Sequence, residues 1–175
     1  EYDEGLRCIG AGVRETHDVQ AADLSGDNLP DVVATDYVNG HVVWFENNGA
    51  GGFVHRILDG NLPGAYPAQI SDVDQDGHMD VLAGGYLSGI FTWYVNNGTG
   101  AFTRRVIDNS RGGPHSIVVG DMEGDGDNDL LTTEQDANTV AWYENSGNSD
   151  FARRVINSAS LGAKRGEFAD VKGDG

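Results

Sequence analysis

Three stretches of the chain place oxygen-bearing side chains at one fixed alternation. They are Asp23-Leu24-Ser25-Gly26-Asp27-Asn28-Leu29-Pro30-Asp31, Asp72-Val73-Asp74-Gln75-Asp76-Gly77-His78-Met79-Asp80 and Asp121-Met122-Glu123-Gly124-Asp125-Gly126-Asp127-Asn128-Asp129. Positions 1, 3, 5 and 9 of every stretch carry a side-chain oxygen, and position 7 (Leu29, His78 or Asp127) would add its backbone carbonyl. Position 6 is Asn28, Gly77 or Gly126, residue types that tolerate a left-handed backbone. Oxygens converging from a tight loop suit a hard cation with about 6–8 oxygen ligands at about 2.3–2.6 Å, which is Ca²⁺. Mg²⁺ demands a stricter octahedron, and softer metals want His or Cys ligands. Read simply as turn formers, the same carboxylates would repel one another with nothing to offset them.

The loops are not equal. The second has four carboxylates at the ligand positions, the first replaces one by Ser25, and the third uses the longer Glu123. A fourth loop begins at Asp170 and continues to Asp174, but holds Lys172 at position 3 and lacks position 9. Fourteen of the 28 Asp and Glu residues lie in these loops, so the formal charge of −17 reads chiefly as an address for a cation. With no basic patch to oppose that charge, a nucleic-acid backbone is excluded as a partner. No apolar run approaches the ~18 residues of a membrane helix. The single Cys8 rules out a disulfide framework within the chain. Residues Glu1 to Glu4 show no secretion signal, so an exported protein would already have lost it.

One period positions the loops. Asp23, Asp72, Asp121 and Asp170 are 49 residues apart, and so are Trp44, Trp93 and Trp142, and Phe53, Phe102 and Phe151. Each unit reads as four short strands separated by turn residues, with no helical periodicity. In the first unit these are residues 17–23, 31–35, 41–46 and 53–58, with Asn39-Gly40 suited to a tight hairpin. A unit of this size with four antiparallel strands is a β-propeller blade, which buries its faces only by stacking on its neighbours. The expected fold is all-β: a lone outer strand at 4–9, blades at 17–58, 66–107 and 115–156, and the start of another at 164–175. Propellers close with about four to eight blades. The remaining blades are therefore expected from a longer chain or from other subunits.

The units resemble FG-GAP or VCBS-type repeats, the calcium-loop blades of integrin-like propellers. The resemblance rests on the loop pattern D-x-[DSE]-x-D-[GN]-x-x-D, then Trp44-Phe45-Glu46-Asn47, Trp93-Tyr94-Val95-Asn96 and Trp142-Tyr143-Glu144-Asn145, a Gly-containing turn and the Phe column. It covers essentially the whole chain. It departs from an EF-hand, whose position 12 is Glu, because Ala34, Ala83 and Thr132 stand there. The family spans adhesion receptors, lectins and accessory domains of carbohydrate-active enzymes, so the resemblance implies a secreted or surface binding module. An accessory or catalytic domain of a secreted carbohydrate-active enzyme and a purely structural array are the alternatives.

The face opposite the loops varies from unit to unit. It is expected to carry His17, Tyr37, Asn39, Tyr66, Tyr86, His115, Gln135 and Asn138, a surface for a glycan or protein ligand. The Trp column reads as packing between blades, and Arg7, Arg56, Arg105 and Arg154, with Arg104 and Arg153, as charges on an outer strand that blunt a sheet edge. Catalysis has thin support: no G-x-S-x-G or H-E-x-x-H occurs, and His17 and His115 are the candidates for acid–base work. No catalytic residue is assigned.

Overall fold

The computed structural model describes residues 12–109, 114–147 and 150–167. These fold into twelve strands arranged as three four-stranded antiparallel sheets, with no helix among the described residues. Sheet one comprises β1 (Val19–Ala22), β2 (Asp31–Asp36), β3 (His41–Asn47) and β4 (Phe53–Asp59). Sheet two holds β5 (Ala65–Ser71), β6 (Asp80–Gly85), β7 (Ile90–Asn96) and β8 (Phe102–Asp108). Sheet three holds β9 (Pro114–Gly120), β10 (Asp129–Glu134), β11 (Thr139–Asn145) and β12 (Phe151–Asn157). Each pairs strictly in chain order, the meander of a propeller blade. Their first strands, β1, β5 and β9, lie side by side as the inner wall.

Strand alternation explains how a blade serves two neighbours. In sheet one Val33, Val42 and Trp44 face the second blade and bury with Leu24, Leu62, Ala65, Ala68, Val81, Ala83 and Tyr94. Ala34, Val43 and Phe45, one residue away in each strand, form a separate cluster on the opposite face. The second and third blades repeat the arrangement with Leu82, Phe91 and Trp93 against Ile117, Leu130, Ala141 and Tyr143. Trp44 and Trp93 are therefore interblade core, whereas Trp142 is partly buried and joins neither cluster. Trp44 meets Phe102 edge-on at 5.6 Å and Trp93 meets Phe151 at 6.0 Å.

Several local expectations change. His17 and Asp18 precede β1 rather than opening it. The β2–β3 connection is a four-residue turn, 37–40, and not a two-residue hairpin. It is closed by Gly40 at φ 69°, and its equivalents by Gly89 at 68° and Asn138 at 52°. The Asp36 carboxylate holds that turn, accepting from the Asn39 backbone N–H at 2.9 Å and side-chain amide at 2.7 Å. Residues 164–167 form no strand; they run along β9, where Gly166 N–H donates to Ser116 Oγ at 3.2 Å. The proposed outer strand 4–9, with Arg7 and Cys8, and the loop residues Asp170 and Asp174 lie outside the described residues.

The arginines do more than blunt an edge. Arg56, Arg105 and Arg154 each lie over the indole of their own blade, 5.4, 5.2 and 5.6 Å from the rings of Trp44, Trp93 and Trp142. Arg104 and Arg153 instead reach the preceding blade. Arg104 Nε donates to Asp59 Oδ2 at 2.8 Å, and Tyr94 donates its hydroxyl to the same oxygen at 2.6 Å. Burial opposes ionisation of Asp59, but the bonds from Tyr94, the Asn61 backbone and Arg104 outweigh it and lower its pKa. The next interface repeats the device: Tyr143 donates to Asp108 Oδ2 at 2.9 Å, and Arg153 lies 3.6 Å from that oxygen. Arg153 also grips the buried Glu134 at 2.8 Å. Each clamp joins one residue of a blade's last strand to two of the next blade.

Candidate functional site

The three acidic stretches connect the first and second strands of their blades, all at one end of the sheets. Their position-1 carboxylates wrap the turn. Asp23 accepts backbone bonds from Gly26, Asp27 and Asn28, Asp72 from Asp76 and Gly77, and Asp121 from Gly124, Asp125 and Gly126. These bonds, the Gly126 N–H foremost, hold the Asp121 carboxyl below its usual range. The turn demands left-handed backbone at position 6, where Asn28, Gly77 and Gly126 have φ 64°, 92° and 96°. It also demands it at position 4, where Gln75 adopts φ 59°. Position 5 caps its own loop, with Asp27, Asp76 and Asp125 accepting the N–H of Leu29, His78 and Asp127.

Position 9 has a role that the loop pattern alone does not reveal. Asp31, Asp80 and Asp129 are wholly buried and staple the loop to the third strand. Asp31 accepts from Leu24 and Ser25 with one oxygen and from Asn47 with the other. Asp80 binds Val73 and Asn96 in the same way, and Asp129 binds Met122 and Asn145. The Asn that follows each Trp-aromatic pair thereby gains a function. Its backbone meets the position-9 carboxylate, and its side-chain oxygen caps the following turn at Gly49, Gly98 or Gly147.

Two loops bring acidic ligand atoms within 4.8 Å of one another: Asp72, Asp74 and Asp76 in the second, and Asp121, Glu123 and Asp129 in the third. Asp80 and Asp125 stand outside these groups, and the first loop, with Ser25 at position 3, is not among them. Position 3 is where the polar demand is unmet. Ser25 Oγ and Asp74 Oδ1 are buried and without a protein partner. Burial, then the charges of Asp76 and Asp72, raises the Asp74 pKa. Burial pushes Asp80 to about 6, and desolvation with Asp129, Asp125 and Glu144 nearby pushes Glu123 to about 7. Crowded carboxylates, raised pKa values and an orphaned buried oxygen are the marks of a donor set that fits a hard cation. The backbone carbonyls of Leu29, His78 and Asp127 stand at position 7 of the same loops.

At the opposite end of the sheets, His17, Tyr37, Tyr66, Tyr86, His115 and Gln135 line an open cup of ≈ 340 Å³. Asn39 and Asn138 lie outside it and serve the turns: Asn138 Oδ1 accepts from Gly162 N–H at 3.1 Å. The rings pack edge to face, with His17 and Tyr66 centroids 4.7 Å apart and Tyr66 and His115 4.6 Å. His115 Nδ1 lies 2.8 Å from the Lys164 carbonyl, which can only accept, so Nδ1 carries the proton. Beside the cup the inner strands and residues 164–167 bound a larger cavity of ≈ 720 Å³, lined by Gln20, Gln69, Ser116 and Arg165 among others.

Four-stranded meanders side by side, each with an acidic first loop, define a repeat propeller. Three stretches, residues 23–83, 72–132 and 121–175, match the FG-GAP-like repeat, and the chain belongs to that family. No curated protein matches the chain. Among solved structures it is similar to a lectin from Agrocybe aegerita described for specific recognition of non-reducing terminal N-acetylglucosamine. The identity is 21% and the TM-score 0.55, over 82% of this chain and 38% of the lectin. At that identity the likeness is one of fold, and the chain spans well under half of its neighbour's length.

Proposed function

We propose that the chain is a calcium-stabilised propeller segment that binds a glycan or protein ligand on the face opposite its acidic loops. The observation that carries the binding reading is the aromatic cup, built on strand ends and short turns and so held without the entropy cost of ordering a flexible loop. The observation that carries the cation is the unpartnered, buried Asp74 Oδ1 beside Asp72 and Asp76. Asp72, Asp74, Asp76 and the His78 carbonyl would hold Ca²⁺ in the second loop, with Asp80 as staple and further donor. Asp121, Glu123, Asp125, Asp127 and Asp129 would do so in the third, and Asp23, Ser25, Asp27, Leu29 and Asp31, with one charge fewer, more weakly in the first. The ion supplies positive charge that offsets the carboxylate repulsion. Abundant extracellular Ca²⁺ keeps sites of modest affinity filled, which favours a secreted or surface protein.

The fold neighbour's specificity makes N-acetylglucosamine-terminated glycans the first ligands to present. Binding on a glycan array should fall when Tyr66 is changed to Ala and when a chelator is added. In parallel, Ca²⁺ added to chelated protein should raise its Tm, with Asp76→Ala weakening the effect more than Ser25→Ala. A Tm indifferent to Ca²⁺ refutes the cation. Ligands that bind Tyr66→Ala as well as the parent protein refute the assigned face.

A further inference from the structure

The cup is closed on itself. Its ring contacts run His17 to Tyr37 at 5.2 Å, Tyr37 to Tyr86 at 6.4 Å, Tyr86 to His115 at 6.5 Å, His115 to Tyr66 at 4.6 Å and Tyr66 back to His17 at 4.7 Å. Five aromatic rings from three blades form a complete circuit. Stacking on a sugar ring wants a flat, exposed platform. Here all but the Tyr37–Tyr86 pair, at 40°, meet at 70–87°, so the rings stand steeply to one another and form no single platform.

A circuit of steeply inclined aromatic rings around a small volume attracts a cation that reaches their faces, through the ring quadrupole. The polar surroundings strengthen this. Tyr86 donates its hydroxyl to the Asp136 carboxylate at 2.8 Å, and at Tyr66 burial and the charge of Asp18 raise the pKa against the smaller opposing effect of Arg165. Both phenols stay neutral and electron-rich. Lys164 and Arg165 line the adjoining inner cavity, which shares His17, Tyr66 and His115 with the cup, but they do not line the cup itself. A bare ammonium is strongly hydrated and needs several acceptors, and Gln135 is the one non-aromatic lining residue. A methylated ammonium has no such demand.

We infer that the closed circuit of His17, Tyr37, Tyr66, Tyr86 and His115 is a cage for a quaternary or methylated ammonium group. The inference rests on the binding reading above and names the ligand class of the same site. Its test is a titration of the calcium-loaded chain, followed by tyrosine ring resonances in NMR. The probes are choline, tetramethylammonium, the neutral isostere 3,3-dimethylbutan-1-ol and N-acetylglucosamine. The two cations should shift Tyr37, Tyr66 and Tyr86 saturably and bind at least about tenfold more tightly than the isostere. Tyr86→Leu and Tyr37→Leu, at the half-buried rim, should each abolish cation binding while leaving the calcium-dependent rise in Tm. Equal binding of isostere and choline overturns the cage, as does unaltered choline binding by both variants. N-acetylglucosamine binding without choline binding overturns the cage and leaves the binding reading standing. No response to any probe, together with an empty glycan array, overturns both.

Discussion

Arg153 and Arg154 are adjacent on β12, and the structure gives them opposite fates. Arg153 lies between blades, one-fifth exposed, with its guanidinium on Glu134, whose side chain is 2% exposed. Arg154 is 56% exposed and pairs with Glu144 on the surface of its own blade. Arg153→Met removes one partner of a buried pair and leaves Glu134 charged and desolvated, a change that costs about 3–5 kcal/mol. Arg153 is not fully buried, and Tyr143 remains 3.4 Å from Glu134 Oε1. The lower end, about 3 kcal/mol, is therefore expected. For a chain of this size that corresponds to a Tm drop of roughly 6–12 °C. Urea unfolding followed by tryptophan fluorescence reads the effect directly, because Trp44 and Trp93 sit at the interfaces. Arg154→Met should move the midpoint by a small fraction of that amount. Adding Glu134→Gln to Arg153→Met should recover most of the loss, since no charge is then left at residue 134 and Asp108 keeps its bond from Tyr143. Equal midpoints for the two arginine variants, or a double variant no better than Arg153→Met, would refute the assignment of Arg153 to a buried pair with Glu134.

Further outcomes follow from the loops and turns. In chelator, stability should rise as pH falls from 7 to about 5. Asp80, raised to about 6, and Glu123, raised to about 7, bind protons in the folded state before they do so unfolded. Below about 4 the trend should reverse, as Asp36, Asp59 and Asp121, whose pKa values are lowered, take up protons. Saturating Ca²⁺ should abolish the upper limb, and thermal melts across pH with and without the ion check both. Gly100 has φ 72°, and a Cβ there would overlap the Trp44 indole. Gly100→Ala should cost about 2–5 kcal/mol, the left-handed penalty plus overpacking. Gly162→Ala, at φ 68° with nothing within 4 Å, should cost about 1–2 kcal/mol.

The architecture was legible because the period is uninterrupted and each unit divides into short apolar stretches bounded by turn residues. The second strands carry a pair of Val or Leu, and the third strands Trp followed by Phe or Tyr, at the same places in every unit. The acidic alternation likewise announced the loops. What escaped the sequence reading depends on contacts that cross from one period to the next. Asp59 looks like any strand-terminal acid until Tyr94 and Arg104 of the following blade meet it. Position 9 reads as a ligand because a linear pattern does not show that Asn96 N–H approaches Asp80 from the third strand. Asn39 and Asn138 shared the variable face with the tyrosines, but backbone geometry, which composition does not encode, turned them to the turns. The circuit of rings could be suspected from its members and not from their order, since His17, Tyr66 and His115 come from one column and Tyr37 and Tyr86 from another.

The clamp fixes how such a chain can lengthen. Its acid stands 35 residues before the tyrosine and 45 before the arginine. An insertion or excision of one whole 49-residue period, cut anywhere, delivers every acid to a complete partner pair. A fraction of a period breaks one. One period earlier all three members differ together, with Gly10, Phe45 and His55 in place of the Asp, Tyr and Arg of the later units. The 49-residue period is thus fixed by the joint between blades as well as by the blade itself.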